Sequence, residues 1–432
     1  MNALSQHDII LPSTVNINDG DVLKNEKLQR IKMKLIKQQQ DIRIRKEISK
    51  KFRFHDSWRR TKFPCHSIPD RELEQRFQTD TFDNQKQFGK EIFDTFRDHN
   101  VTHVLAAAPT QSGKTGSMIS LARYFNQSDS MRVDCNNIFV FTGHSSKEWT
   151  EQTKNRFPTS LKDNIFHRNN FKQFVENFAD LTNALILFDE SHIANKFGQT
   201  LYSLYRKLGF FDIPSLYRRN IKIIHFTATP NSILPYIHIW QNSLKVKHMN
   251  VPNNYVSAQH YLLNEQVVEA LPLHDNHKNI YDILSFIDID NPFYHIIRTP
   301  RGAKHNELIQ DFKLTFSSFD FEYISEPSYF KFNANSDISS LFMRKPHKHT
   351  FVFIIDKLRC AKSIHIQHTQ IFYDRFVLKP NLDSVIQGLL GRCTGFHEHT
   401  SHIRIFTFKR FILSQQSHEH QSHSEFNIFY PC

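Results

Sequence analysis

The sequence predicts an α/β protein built from two doubly wound parallel-sheet lobes in tandem, preceded by a basic, mostly helical arm. Three observations lead there. Short, near-continuously apolar segments rich in β-branched and aromatic residues recur after about residue 82: VTHVLAA (101–107), NIFVFT (137–142), ALILF (184–188), IKIIHF (221–226), YHIIRT (294–299), TFVFII (350–355) and IRIFTF (403–408). Runs apolar on both faces are what strands covered by helices on both sides look like. Between them lie amphipathic segments such as SMISLARYF (117–125), SKEWTEQTKNRF (146–157) and NELIQDF (306–312), and strands alternating with helices imply a parallel sheet. Finally, there are more strand candidates than one such sheet half needs, and a polar stretch near 251–257 offers a boundary between two lobes.

The expected organisation is a polar leader and basic arm over 1–80, a first lobe over 81–250, a second over 251–412, and a His-, Ser- and Gln-rich tail over 413–432. Within the arm, Leu28, Ile31, Leu35 and Ile42 recur at helical spacing, while Arg30, Lys32, Lys34, Lys37, Arg43 and Arg45 crowd the other faces. Such a run is either a solvated helix packed on the body or a phosphate-binding arm. Across 432 residues, 55 Lys and Arg against 43 Asp and Glu leave a charge of +12, which suits a polyanionic partner. Hydrophobic residues at 39% supply a core and exclude a disordered chain. No apolar run nears the roughly 18 residues of a membrane span, and the first residues lack a signal-peptide pattern. Five scattered cysteines without a CxxC pair argue against a disulfide scaffold and for an intracellular setting.

The strongest motif is Ala108-Pro109-Thr110-Gln111-Ser112-Gly113-Lys114-Thr115, set between a strand candidate and a helix candidate. A triphosphate needs backbone N–H groups converging at a helix N-terminus, where the dipole favours negative charge. Gly113 lets the backbone approach, Lys114 reaches the β- and γ-phosphates, and the Thr115 hydroxyl ligates Mg²⁺. Ala108 stands where the general pattern has its first glycine. Downstream, ALILF runs into Asp189-Glu190-Ser191-His192. A carboxylate ending a buried strand, here Asp189, can hold Mg²⁺, and Glu190 is placed to orient or deprotonate water. Acidic residues also end strands simply because the chain emerges into solvent. The pair gains weight from the phosphate loop before it and from a third strand that ends in Thr227-Ala228-Thr229-Pro230.

APTQSGKT, DESH and TATP, in this order, resemble motifs I, II and III of superfamily 2 helicases and translocases of the DEAD/DEAH-box type. The resemblance covers about residues 80–410. It implies two RecA-like lobes with ATP and Mg²⁺ between them, and Thr227 and Thr229, faced by His192, coupling ATP state to nucleic-acid binding. FDNQKQFGKEIF resembles the segment in which a Gln reads adenine, making Gln85 the candidate with Gln87 as an alternative. FTGHSSKEWTEQ resembles motif Ia and implies phosphate contacts from Thr142, Gly143 and Ser145. YHIIRTPRG resembles motif IV, putting Arg298 near the nucleic-acid channel, and FVFIIDKLRCAKSI the motif V region, with Lys357 and Arg359 at a strand end. Gln387-Gly388-Leu389-Leu390-Gly391-Arg392 resembles motif VI. Arg392 would then be the arginine that reaches the γ-phosphate from the second lobe, with Gln387 as a further ligand. Many family members carry a second arginine where this chain has Gly395, and the spacing from Gln387 to Gly391 is one residue longer than the commonest.

The implied function is an ATP-dependent nucleic-acid helicase or translocase. DNA stands ahead of RNA because the series most resembles helicase-like proteins of large viruses and phages, which also implies a viral protein acting in a host cell's cytoplasm or nucleus. A viral packaging-type motor ATPase and a helicase-derived binding protein without turnover remain alternatives. Clustered histidines such as His397, His399 and His402 follow from composition, with 26 in the chain.

Overall fold

Every strand pairing in the two sheets is parallel, so the helices between the strands must cross over and cover both faces. The protein, seen in a computed structural model, is described over residues 81–142, 147–177, 181–191, 199–229, 237–327, 338–355, 364–380 and 382–413. The basic arm and the His-rich tail lie outside the described residues. The first sheet has the order β3-β2-β4-β5-β1-β6, from β1 (His103–Ala107), β2 (Ile138–Thr142), β3 (Ile165–His167), β4 (Ala184–Asp189), β5 (Ile221–Thr227) and β6 (Leu244–His248). The second has the order β7-β12-β11-β8-β10-β9, from β7 (Val267–Glu269), β8 (Tyr294–Arg298), β9 (Glu322–Ser325), β10 (Thr350–Ile354), β11 (Thr369–Tyr373) and β12 (Arg404–Thr407). The helices used below are α1 (Asp83–Thr95), α2 (Lys114–Gln127), α3 (Thr200–Leu208), α4 (Ala303–Thr315) and α5 (Leu389–Cys393). The architecture is α/β with two parallel six-stranded sheets in tandem.

Side chains alternate between two cores, as period-two geometry requires. Ile138, Val140, Leu185, Leu187, Ile224 and Phe226 join the core beneath α1 and α2. Their neighbours Phe139, Phe141, Ile186, Phe188 and Ile223 enter the opposite core with Leu201, Leu204 and Leu208 of α3. The second sheet repeats the scheme, with Ile296, Val352 and Ile354 on one face and Ile297, Phe351 and Phe353 on the other, beside Leu308 and Phe312 of α4.

The registers decide where chemistry can sit. Ala107 pairs with Thr227, Phe226 with Asp189, and Asp189 with Thr142. Four strands therefore end side by side, and the loops that follow them share one edge of the sheet. In an open parallel sheet this carboxyl edge is where ligands bind.

The apolar face under α3 encloses polar rings. His225 of β5 stacks on Trp240 at 4.9 Å and on Phe188 at 5.4 Å, and its Nδ1 lies 3.1 Å from the Tyr205 hydroxyl. His103 stacks on the same Trp240 at 4.4 Å. Burial pushes His225 down to about 3 and His103 well below the usual range, so both rings are neutral in the folded protein. The unfolded chain protonates His225 below about pH 6.5 and the folded one does not until about pH 3. Stability should therefore fall as the pH drops through that window, by about 1.4 kcal/mol per pH unit for one such residue. Urea midpoints at pH 7 and pH 5 check this, and His225→Phe should show the shallower acid loss.

Candidate nucleotide site

The loop between β1 and α2 begins as an extension of the sheet, where Ala108 N–H donates to the Thr227 carbonyl at 3.0 Å. It then turns back on itself. The Ser112 hydroxyl donates to the Pro109 carbonyl at 2.8 Å, and Gly113, with φ +98°, stands at the N-cap of α2. Glycine is needed here for two reasons. The backbone is left-handed, and a Cβ on Gly113 would come within 1.9 Å of Gln85 Nε2. A Cβ on Gly116 would meet Gln85 Oε1 at the same distance. The Gln85 amide thus lies across the first turn of α2, and its Oε1 also accepts from the Phe82 N–H at 3.2 Å. Gln87 points to solvent and bonds Glu91 at 2.9 Å, so of the two glutamines it is Gln85 that the fold sets against the loop.

Lys114, the first residue of α2, extends to the end of β4, where its Nζ lies 3.3 Å from Glu190 Oε1. Both side chains are nearly buried, 9% and 6% exposed. Asp189 closes β4 and is itself buried. Removing one member of such a pair strands the other charge, at a cost of about 3–5 kcal/mol. Glu190 has φ +50° and Gln111 φ +57°, conformations that cost a non-glycine residue about 1–2 kcal/mol each. Both lie at this edge, and they are two of eight non-glycine residues of positive φ among the described residues. The carboxylate of Asp189 and the half-buried hydroxyl of Thr115 are hard oxygen donors beside the loop, the chemistry Mg²⁺ selects.

The end of β5 is a side-chain-locked turn. Thr227 Oγ1 accepts from the Thr229 N–H and donates to the Thr229 carbonyl, both at 3.1 Å. Thr229 Oγ1 in turn accepts from Gln387 Nε2 at 2.8 Å, across to the second sheet's side.

The segment carrying Gln387 is fixed by a buried frame. Arg298, last in β8, pairs with Asp374 at 3.1 Å, and the other oxygen of Asp374 accepts from the Leu389 N–H at 3.3 Å, at the start of α5. The Tyr261 hydroxyl donates to the Cys393 carbonyl at 2.7 Å at the helix end. Arg392 lies within this frame, buried, its Nη2 donating to the Gln387 carbonyl at 3.3 Å. Burial pushes the Cys393 thiol up, with the Arg392 charge acting in the opposite sense.

Loop and helix touch directly. Gln111 Nε2 donates to the carbonyls of Gly391 and Arg392, both at 3.0 Å. Thr110 and Thr394 hydroxyls are 2.8 Å apart, and the Tyr255 hydroxyl donates to the Thr110 carbonyl at 2.5 Å. Segments about 280 positions apart in sequence therefore share one cleft edge.

Thr142 is fully buried at the end of β2. Arg298 pairs with Asp374, its side chain only 10% exposed, and so braces α5. Gly143, Ser145, His192, Lys357 and Arg359 lie outside the described residues. Tyr255, Thr394 and Asp374 were not singled out from sequence. Asp374 had a signal, a carboxylate directly after an apolar strand, as at Asp189. Tyr255 and Thr394 had none.

No family model matches the chain. An uncharacterised protein, L594, of Acanthamoeba polyphaga mimivirus is 27% identical over 328 residues, covering 70% of this chain and 79% of that protein. Among solved structures the chain is similar to DEAD-box and other helicases. Dbp5 of S. cerevisiae bound to RNA and ADP BeF3 aligns over 84% of this chain and 93% of its own at 12% identity, TM-score 0.45. A DEAD box protein of Methanococcus jannaschii aligns over 84% and 97% at 13% identity, TM-score 0.36. The DUF1998 helicase MrfA bound to DNA aligns over 83% and 54% at 12% identity, TM-score 0.43.

The contact of Gln85 with α2 has a direct test. Gly116→Ala should destabilise the protein by about 1–3 kcal/mol through overpacking, although alanine is the better helix former. Adding Gln85→Ala should recover most of that loss in urea denaturation.

Proposed function

We propose that this chain is an ATP-dependent nucleic-acid helicase or translocase, with ATP and Mg²⁺ held between its two lobes. The observation that carries the reading is the buried pair of Lys114 and Glu190 at 3.3 Å, at an edge where Gln111 also reaches the backbone of Arg392. Phosphate-loop cation, acidic pair and second-lobe arginine segment are the parts that phosphoryl transfer needs near one another.

In this reading the triphosphate takes Lys114 from Glu190. The ammonium turns to the β- and γ-phosphates, the backbone N–H groups of residues 111–115 cradle them at the start of α2, and Gln85 recognises the base. Glu190, relieved of its partner, becomes the acceptor that orients the attacking water. Asp189 and Thr115 would hold Mg²⁺, which neutralises charge on the β- and γ-oxygens. Arg392 meets the charge building on the transferred phosphoryl group. Thr227 and Thr229 pass the state of the cleft to Gln387 through the hydrogen bond at 2.8 Å.

The partner is a nucleic acid gripped by its phosphates, with binding that weakens as salt rises, in keeping with the net charge of +12. DNA is proposed ahead of RNA on the likeness of the motif series to helicase-like proteins of large viruses. Among the described residues no helix is long and apolar enough to cross a membrane.

ATP turnover assayed with single- and double-stranded DNA and RNA tests the reading. Nucleic acid should stimulate hydrolysis, Lys114→Ala and Glu190→Gln should abolish the stimulated rate, and Arg392→Ala should lower it about 10³-fold. Near wild-type turnover in a folded Glu190→Gln protein refutes the assigned role.

A further inference from the structure

Residues 110 and 111 of the phosphate loop are engaged by the second lobe more closely than a passing contact requires. Gln111 Nε2 serves two carbonyls, Gly391 and Arg392, at 3.0 Å each. These are late carbonyls of the five-residue α5, which lack partners further along the helix. Thr394 Oγ1 lies 3.1 Å from the carbonyls of both Thr110 and Gly391, and the Thr110 carbonyl accepts from Tyr255 Oη.

Two glycines make the socket. An ideal Cβ on Gly391 would lie 3.2 Å from Thr110 Cγ2 and 2.5 Å from the Ile386 carbonyl oxygen. Gly395 has φ +123°, and a Cβ there would lie 3.2 Å from Gln111 Cβ. A side chain at 395 would be strained by the backbone and pressed against Gln111.

Gln111 itself adopts φ +57°, a conformation in which glycine is the default. Its strain is held by bonds that exist only while the lobes are together. Opening of the cleft would remove those bonds and leave the loop free to relax, which would make loop shape and lobe closure one equilibrium.

We propose that Gln111 is a positioning residue that couples the phosphate loop to the arginine-bearing segment of the second lobe, acting through the carbonyls of Gly391 and Arg392. The proposal rests on the ATPase reading for its consequence but not for its contact. The loop would reach its strained form only when Arg392 is in place, so hydrolysis would be suppressed while the lobes are apart.

Hydrogen exchange on the full-length protein without nucleotide tests the contact alone. Gln111→Gly suits the left-handed backbone and keeps the fold. It should speed exchange of the amides of 389–395 about tenfold, the loss of one to two net hydrogen bonds, with β4 and β5 unchanged. Tyr255→Phe should act in the same direction through Thr110. In nucleic-acid-stimulated ATPase assays Gln111→Gly should lower kcat about tenfold while KM for ATP moves less than about threefold, a split expected of an interaction realised only in the closed state. Unchanged exchange of 389–395 in Gln111→Gly overturns the proposal. Absence of turnover in the wild-type protein defeats the ATPase reading and leaves the exchange result to decide the contact.

Discussion

The ion pair between Lys114 and Glu190 is the constraint on which the rest of the molecule turns. Two opposite charges, each nearly out of water, sit 3.3 Å apart where they are costly to hold. The fold sustains them by construction. Parallel register brings the ends of β1, β5, β4 and β2 to one edge, and the start of α2 projects the lysine across it. Nothing in core packing asks for such a pair, since the same edge could have closed on apolar residues as the sheet interior does. The proposed function gives it a use, because the lysine can exchange one acceptor for another with little loss.

Beside the pair, two elements show how the second lobe is made to matter. The turn locked by Thr227 and Thr229 meets Gln387, and Thr110 and Gln111 meet α5. Each contact joins a loop at the end of a first-sheet strand to one short helix or the residues flanking it, and that helix is tied at its two ends by Asp374 and Tyr261. In the proposed function this interface would serve as a two-position device, since packed interfaces shift between discrete arrangements instead of deforming smoothly. Arg392 belongs to that helix, so its guanidinium moves with the lobe.

Much of this was legible in the sequence. Segments apolar on both faces gave the central strands β1, β2, β4, β5, β8, β10 and β12 because burial on two sides leaves a mostly apolar run. The edge strands β3, β6, β7 and β9 were not, being short or mixed in character, as edges with one solvated side are. β11 is internal yet was missed because Thr369 and Gln370 open it. Both are buried, and their polar character breaks the run that marks its neighbours. Lys114, Asp189 and Glu190 were singled out because a phosphate-loop pattern and an acidic pair after an apolar strand have recognisable spacing, and the structure brings Lys114 and Glu190 to 3.3 Å. The frame around α5 was not, because Arg298 and Asp374 neutralise each other across 76 positions of sequence, and an arginine's partner leaves no local mark.

A crystal structure of the protein with Mg²⁺ and a non-hydrolysable ATP analogue tests the shared cleft most directly. The account requires the β- and γ-phosphates on the backbone of residues 111–115 and on Lys114 Nζ, now parted from Glu190, with Arg392 turned to the γ-phosphate. A nucleotide bound by the first lobe alone, with Arg392 still directed away on the Gln387 carbonyl in every copy, would contradict it.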